Sequence, residues 1–349
     1  MTGRVGRLLV ALAVLALAGC SSSNDDTATG SGADAPAEPS AAVDRVPGVV
    51  QDVAPSVVVI QTGEGAGSGV VWSADGSLVT NAHVVGDRRE VTVLFADGEQ
   101  RRAEVVATDV FTDLALLRVD RTGLPEIARA DEVPPVGTGV VAIGSPLGFQ
   151  NTVSVGVISG ERRSIPGSAA VTPALVDLLQ TDAAISPGNS GGALVDLDGR
   201  LVGIAVAYLP PQATGAVSIG FAIPVPTVVD VIGQLAADGR AVHAFAGLQL
   251  APVTPRMAEA FDLPAAGALV GEVVPDGPAD RAGIEPGSVI VAVDGSMVRG
   301  PEDVLAAIRR ADPGDELAVT LAGQGEAVDR DVTIELVERP SPDRDALPR

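Results

Sequence analysis

Between Pro47 and Ile223 the apolar residues come in short β-type runs broken by turn residues. Ser56–Thr62, Gly69–Ser73, Leu78–Thr80, Glu90–Phe95, Ala103–Thr108, Leu114–Val119, Val140–Gly144, Thr152–Ser159, Ala193–Val195, Leu201–Val206 and Ser218–Ile223 each read as a β-strand. Their β-branched residues suit a pleated, half-buried surface, and a period of two sends alternate side chains to opposite faces. Asp75-Gly76, Asp97-Gly98 and Asp198-Gly199 supply the positive-φ residues that tight hairpins need between such runs. No helical pattern alternates with these strands, which disfavours a parallel βαβ sheet and leaves a β-barrel or sandwich.

The period changes after Ile223. Val228, Val231, Ile232 and Leu235 recur at helical spacing, so a helix runs from Pro226 to Ala237 and stops at Asp238-Gly239. A second unit follows from Ala246 to about Val337. It has strands near Leu248–Ala251, Ala268–Val274, Val289–Val293, Glu316–Leu321 and Asp331–Leu336. A helix from Pro301 to Arg310 directs Val304, Leu305 and Ile308 inward. Residues 339–349 carry three prolines and read as a frayed end.

Composition narrows what these units can do. A chain of 349 residues has room for two domains plus tails. Its 45 acidic residues outweigh 23 basic ones, all of them Arg, for a formal charge of -22. Phosphate backbones repel such a surface, so nucleic acid is excluded as a partner. With two histidines and one cysteine a Cys/His zinc site has too few ligands, no metal or other cofactor is expected, and an internal disulfide is impossible.

The N-terminus adds an address. Arg4 and Arg7 precede an apolar stretch of eleven residues, Leu8–Ala18, too short to cross a hydrocarbon core of ~30 Å as a helix. Leu17-Ala18-Gly19-Cys20 resembles a bacterial lipoprotein lipobox. That resemblance implies cleavage before Cys20, lipid on its sulfur, and an extracytoplasmic chain anchored to the cell membrane. Residues 21–46 are Ser, Ala, Asp, Gly and Pro with almost nothing to bury, and read as a disordered tether.

Gly188-Asn189-Ser190-Gly191-Gly192 is the candidate for chemistry. Glycines on both sides of a serine allow a sharp bend that exposes the hydroxyl and lets neighbouring amides converge on one point. Alone, the run also fits the nucleophile elbow of an α/β hydrolase, or a plain turn between strands. A serine hydroxyl needs a base, and the base needs an orienting carboxylate. His83, at the end of the Leu78–Thr80 strand, and His243 are the two candidate bases. His243 lies in the connector after the 226–237 helix, among Ala and Val, and reads as incidental. An elbow requires its acid and then its histidine after the serine, whereas the order His83, Asp, Ser190 is that of chymotrypsin-like barrels.

Thr80-Asn81-Ala82-His83-Val84-Val85, Thr112-Asp113-Leu114-Ala115-Leu116-Leu117 and Gly188-Asn189-Ser190-Gly191-Gly192-Ala193-Leu194 resemble the three active-site blocks of HtrA/DegP-type serine proteases. Gly67-Ser68-Gly69-Val70, Gln180-Thr181-Asp182-Ala183-Ala184-Ile185 and Gly220-Phe221-Ala222-Ile223-Pro224 match supporting blocks. The resemblance implies a mainly β protein, a chymotrypsin-like double β-barrel followed by a PDZ domain. The expected layout is a leader at 1–19, lipidated Cys20 and tether through 46, a protease domain at 47–240, a PDZ domain at 246–338 and a tail at 339–349. It makes Ser190 the nucleophile, His83 the general base and Asp113 the orienting acid, with an oxyanion hole at Gly188, Asn189 and Ser190. Ala184, Ile219 and Phe221 are expected to form a small apolar primary pocket. Ala246, Gly247 and Leu248 fall at the PDZ carboxylate-binding loop, although Ala246 stands where a larger apolar residue is common and Ser288 replaces the usual Asp. The implied partners are unfolded or selected protein substrates, peptide C-termini and a homotrimer. A catalytically idle chaperone or peptide-binding lipoprotein is the alternative.

Overall fold

Two closed six-stranded antiparallel barrels carry the first part of the chain, and they repeat one strand order. The structure, a computed structural model, describes residues 39–63, 65–144, 152–165, 175–186, 188–208, 219–322 and 329–340. The expected leader, Cys20, the tether as far as residue 38 and the last nine residues lie outside these. Barrel 1 comprises β1 (Val57–Gln61), β2 (Ala66–Val71), β3 (Ser77–Thr80), β4 (Glu90–Leu94), β5 (Gln100–Asp109) and β6 (Leu114–Val119), in the order β1-β2-β3-β6-β5-β4. Barrel 2 comprises β7 (Gly139–Gly144), β8 (Thr152–Ile165), β9 (Leu175–Thr181), β10 (Ala193–Asp196), β11 (Leu201–Tyr208) and β12 (Gly220–Pro224). Its order β7-β8-β9-β12-β11-β10 is the same path. The Asp-Gly pairs turn the β2–β3, β4–β5 and β10–β11 hairpins, with Gly76, Gly98 and Gly199 all at positive φ.

Three apolar clusters hold this part together. Val58, Ile60, Leu78, Val93 and Leu117 fill barrel 1, and Val140, Ile158, Leu179, Leu194 and Val202 fill barrel 2. The third cluster joins the barrels and includes Val57, Val79 and Leu114 of the first with Val141, Ile143 and Ile204 of the second. The helix Val225–Asp238 leaves barrel 2, packs on β5 and β6 as well as β11 and β12, and ends on Gly239 at φ +70. It buries Val225, Val228, Val231, Ile232 and Leu235. At about 1.5–3 kcal/mol per large apolar side chain, that stripe is a substantial clasp between the barrels.

In the second unit β13 (Ala244–Phe245) pairs β20 (Val337–Glu338), and the main sheet has the order β14-β15-β16-β18-β19, with β14 (Leu248–Pro252) at one edge, β15 (Ala268–Val273), β16 (Val289–Val293), which also pairs the short β17 (Ser296–Met297), β18 (Glu316–Leu321) and β19 (Arg330–Glu335). Its own core includes Val270, Ile290, Val304, Leu317 and Ile334. The helix Pro301–Arg310 lies on this sheet and also packs against β8 and β9 of barrel 2. Its fully buried positions are Pro301, Val304 and Ala306, so Leu305, expected to face inward, is only half-buried.

Three local expectations need correction. A helix occupies Pro39–Val53, where the tether was expected to run on to residue 46. Val46, Val49, Val50 and Val53 recur at helical spacing, and Val49 and Val53 are buried in the inter-barrel cluster. Strand β9 was not anticipated. Asp177, buried and at φ +56, interrupts its apolar run, and the β8–β9 register shifts three times. The helix Pro255–Phe261, capped by Thr254, was also unforeseen; it buries no residue and so leaves little apolar period to read.

Candidate active site

The turn joining β5 to β6 supplies the carboxylate. Asp109 closes it by accepting the Thr112 N–H at 3.1 Å, the Thr112 hydroxyl, and the Phe111 N–H at 3.3 Å. Side-chain acceptors of this kind stand in for backbone hydrogen bonds and set a tight bend. Asp113 then takes φ +59, a left-handed conformation that Asp tolerates better than most residues. Its carbonyl accepts the Ala82 N–H at 3.1 Å and Asn81 Nδ2 at 3.0 Å. Its carboxylate, 1% exposed, accepts the His83 N–H at 2.9 Å through Oδ1 and meets His83 Nδ1 at 2.6 Å through Oδ2. A carboxylate at Nδ1 fixes the proton there and leaves the Nε2 lone pair available as a base. His83 stands on the single helical turn Ala82–Val85, its side chain 33% exposed.

Ser190 reaches the same place from barrel 2, just before β10. Its carbonyl accepts the Ser68 N–H at 2.8 Å, Ser68 Oγ donates to the Gly188 carbonyl at 2.6 Å, and Thr80 Oγ1 donates to the Ser68 carbonyl at 2.6 Å. One chain of hydrogen bonds therefore ties the serine loop to the strands that carry His83. The glycines are required by this contact. A Cβ at Gly191, which sits at φ +84, overlaps the Ser68 carbonyl and Thr80 Oγ1, and one at Gly192 falls 2.6 Å from the Ile143 carbonyl. Gly67 lies between Val84 and the Ser190 carbonyl, where a Cβ comes within 2.7 Å of Val84 and 3.3 Å of that carbonyl. Gly188 is at φ +100. The Ser190 hydroxyl donates to the Val206 carbonyl at 3.2 Å, and among the described residues no hydrogen bond joins it to His83. Hydroxyl, open imidazole nitrogen and buried carboxylate are the groups acyl transfer uses.

The remaining expected site residues fall as follows. Asn189 is buried and donates through Nδ2 to the Ala184 carbonyl at 3.3 Å, so Ala184, itself exposed, is tied to the serine loop. Ile219 and Phe221 are alternate residues at β12; Phe221 is buried in the inter-barrel cluster and Ile219 packs on it. Ala246 is buried, Gly247 takes φ +76, and Leu248 opens the edge strand β14. The carbonyls of Ala246 and Gly247 accept the N–H groups of Ala279 and Val274, each at 2.9 Å, which fixes the loop.

His243 is not incidental. Its Nε2 lies 2.9 Å from Asp109 Oδ2, with the two side chains 10% and 5% exposed. Burial raises the Asp109 carboxyl, but the hydrogen bonds from His243 and the Thr112 hydroxyl and the nearby Arg309 charge outweigh it and leave the group below the ordinary carboxylate range. Ser68, Thr80 and Asp109 were likewise not singled out for function. The Asp109-x-x-Thr112 spacing is the signal that announces the turn; nothing local announces a bond across 134 residues.

Comparison with known proteins agrees with this architecture. Residues 67–204 match the family model of the trypsin-like peptidase domain, and residues 269–322 match that of the PDZ domain. A probable periplasmic serine endoprotease, DegP-like, from Halomonas elongata is 38% identical over 283 residues, 80% of this chain and 58% of that protein. A putative serine protease, HhoB, from Synechocystis is 37% identical over 269 residues, 74% of this chain and 63% of that protein. The chain thus spans little more than half the length of these curated relatives. Among solved structures, the HtrA-type protease AlgW with a tripeptide matches at TM-score 0.68 and 34% identity, covering 85% of this chain and 98% of that one. The serine endoprotease from Yersinia pestis matches at TM-score 0.60 and 31% identity, covering 88% and 100%. Double barrel, His–Asp pair, glycine-flanked serine and trailing PDZ sheet thus define a class, and the chain belongs to it: the HtrA-type family of trypsin-like serine proteases with a PDZ domain.

Proposed function

We propose that the chain is a serine endopeptidase acting outside the cytoplasm on unfolded or selected proteins. The observation that carries this is the buried Asp113 carboxylate on His83 Nδ1, with Ser190 held next to that helical turn by Ser68 and Gly67. His83 Nε2 takes the Ser190 proton as the hydroxyl attacks a peptide carbonyl, and returns it to the leaving amine. The carboxylate holds the tautomer and stabilises the imidazolium. The amides of Gly188 and Ser190, on either side of Asn189, receive the oxyanion. The bond from the Ser190 hydroxyl to Val206 describes a resting rotamer, and a χ1 rotation, fast on the scale of turnover, frees the oxygen for attack.

Ala184, Ile219 and Phe221 form a primary pocket suited to Val, Ala, Ile or Leu; a trypsin-like preference needs a carboxylate where Ala184 stands. Cleavage found mainly after Arg or Lys contradicts that assignment. The protease domain extends over 47–240 and the PDZ domain over 246–338, whose edge strand β14 and Ala246-Gly247-Leu248 loop receive peptide C-termini. Periplasmic relatives and the leader support an extracytoplasmic location, and lipid on Cys20 anchors the chain. Assembly as a homotrimer follows from the family alone. The direct test is Ser190→Ala, which is expected to abolish casein cleavage with melting temperature and circular dichroism unchanged, a loss on the order of 10⁶ in turnover. Undiminished cleavage by the pure variant contradicts the assignment.

A further inference from the structure

The turn that carries Asp113 is gripped from outside barrel 1 by three residues of the connector and second unit. His243 Nε2 contacts Asp109 Oδ2 at 2.9 Å. Arg309, from the helix Pro301–Arg310, places Nη1 3.2 Å from His243 Nδ1 and donates through Nη2 to the Phe111 carbonyl at 3.3 Å. Arg339 donates its backbone N–H to the His243 carbonyl at 2.7 Å and lays its guanidinium 4.3 Å over the Phe111 ring, which meets His243 edge-on at 5.4 Å. Hydrogen-bond chemistry fixes the protons. A guanidinium only donates, so His243 Nδ1 accepts; a carboxylate only accepts, so Nε2 bears the hydrogen. His243 is therefore a neutral imidazole with both nitrogens used, linking Arg309 to Asp109, which closes the bend that presents Asp113.

We infer that His243 and Arg309 are positioning residues for the proposed reaction: they lock the Asp109–Thr112 turn and so set the Asp113 carboxylate against His83. This rests on the reading of Ser190, His83 and Asp113 as the triad. A second proton on His243 sets Nδ1–H against Arg309 and breaks the link at one end. The groups facing the imidazole are Asp109 from barrel 1, Arg309 from the second unit and Arg339 from its C-terminal end. The cleft bordered by His243 and Arg309 is further lined by Glu161, Arg162, Asp177, Asp230, Arg310 and Asp312.

The test is steady-state cleavage of a Val-containing peptide by the full chain and its His243→Ala, His243→Gln and Arg309→Ala variants, with Ser190→Ala as control. His243→Ala and Arg309→Ala are expected to lower kcat about tenfold with little change in KM, because a displaced catalytic group costs turnover rather than binding. His243→Gln keeps one donor and one acceptor. It is expected to retain most of kcat, because both ends of the link can stay bonded. Unchanged kcat in both alanine variants, or a kcat for His243→Gln as low as that of His243→Ala, overturns the positioning role and leaves the triad intact. Equal cleavage by wild type and Ser190→Ala overturns the triad, and the inference with it.

Discussion

Two histidine–aspartate pairs sit on one turn of barrel 1, their carboxylates four residues apart, and they are built to opposite ends. In the Asp113–His83 pair the carboxylate takes Nδ1, and the ring, 33% exposed, keeps Nε2 free. In the Asp109–His243 pair the ring is 10% exposed, the carboxylate takes Nε2 and an arginine takes Nδ1. The same two side chains make a base when one nitrogen is left open and a strut when neither is. The pairs also differ in reach. Asp113 and His83 are 30 residues apart within barrel 1, whereas Asp109 and His243 join barrel 1 to the connector that enters the second unit.

The largest effect that tests this contrast falls on the open pair. Asp113→Asn is expected to cost about 10⁴ in kcat with the fold retained, because an amide no longer holds the tautomer that leaves Nε2 unprotonated. A loss of only a few-fold, measured on a protein of unchanged melting temperature, breaks the distinction between the pairs. Asp109→Asn is expected to act mainly on stability, by on the order of 3 kcal/mol in urea unfolding at neutral pH, because it removes the charged acceptor of the buried Thr112 and His243 hydrogen bonds. The smaller effect is the pH dependence of that stability. Asp109 is held below its ordinary range in the folded protein. Its contribution is therefore complete above the unfolded carboxylate value near ~4 and is lost as pH falls through the lower native value. Asp109→Asn is expected to flatten the fall in melting temperature below about pH 4. Parallel curves for variant and wild type contradict an ionised, hydrogen-bonded Asp109.

The two pairs were not equally legible in the sequence. His83, Asp113 and Ser190 stand in blocks whose neighbours have stringent jobs: Gly191 and Gly192 have no room for a Cβ, and Asn81 anchors the Asp113 carbonyl. Such local demands mark the chain itself. The barrels were legible for a similar reason, since Asp-Gly turns between short β-branched runs encode hairpins locally. His243 was not, because its partners lie 134 and 66 residues away and its own neighbours, Ala and Val, carry no sign of them. The helix over 39–46 and strand β9 were hidden by the same cause in other forms. The first owes its burial to a distant barrel, and the apolar run of the second is interrupted by a left-handed polar residue, Asp177.

The most direct test of the contrast is to map the adduct of an active-site-directed fluorophosphonate by peptide mass spectrometry in wild type, His83→Ala and His243→Ala. The open pair acting as base and the closed pair as strut predict an adduct on Ser190 in wild type. They also predict that it is lost in His83→Ala and forms more slowly, still on Ser190, in His243→Ala. An adduct on another residue, or one formed at the wild-type rate in His83→Ala, contradicts the assignment of the open pair as the base for Ser190.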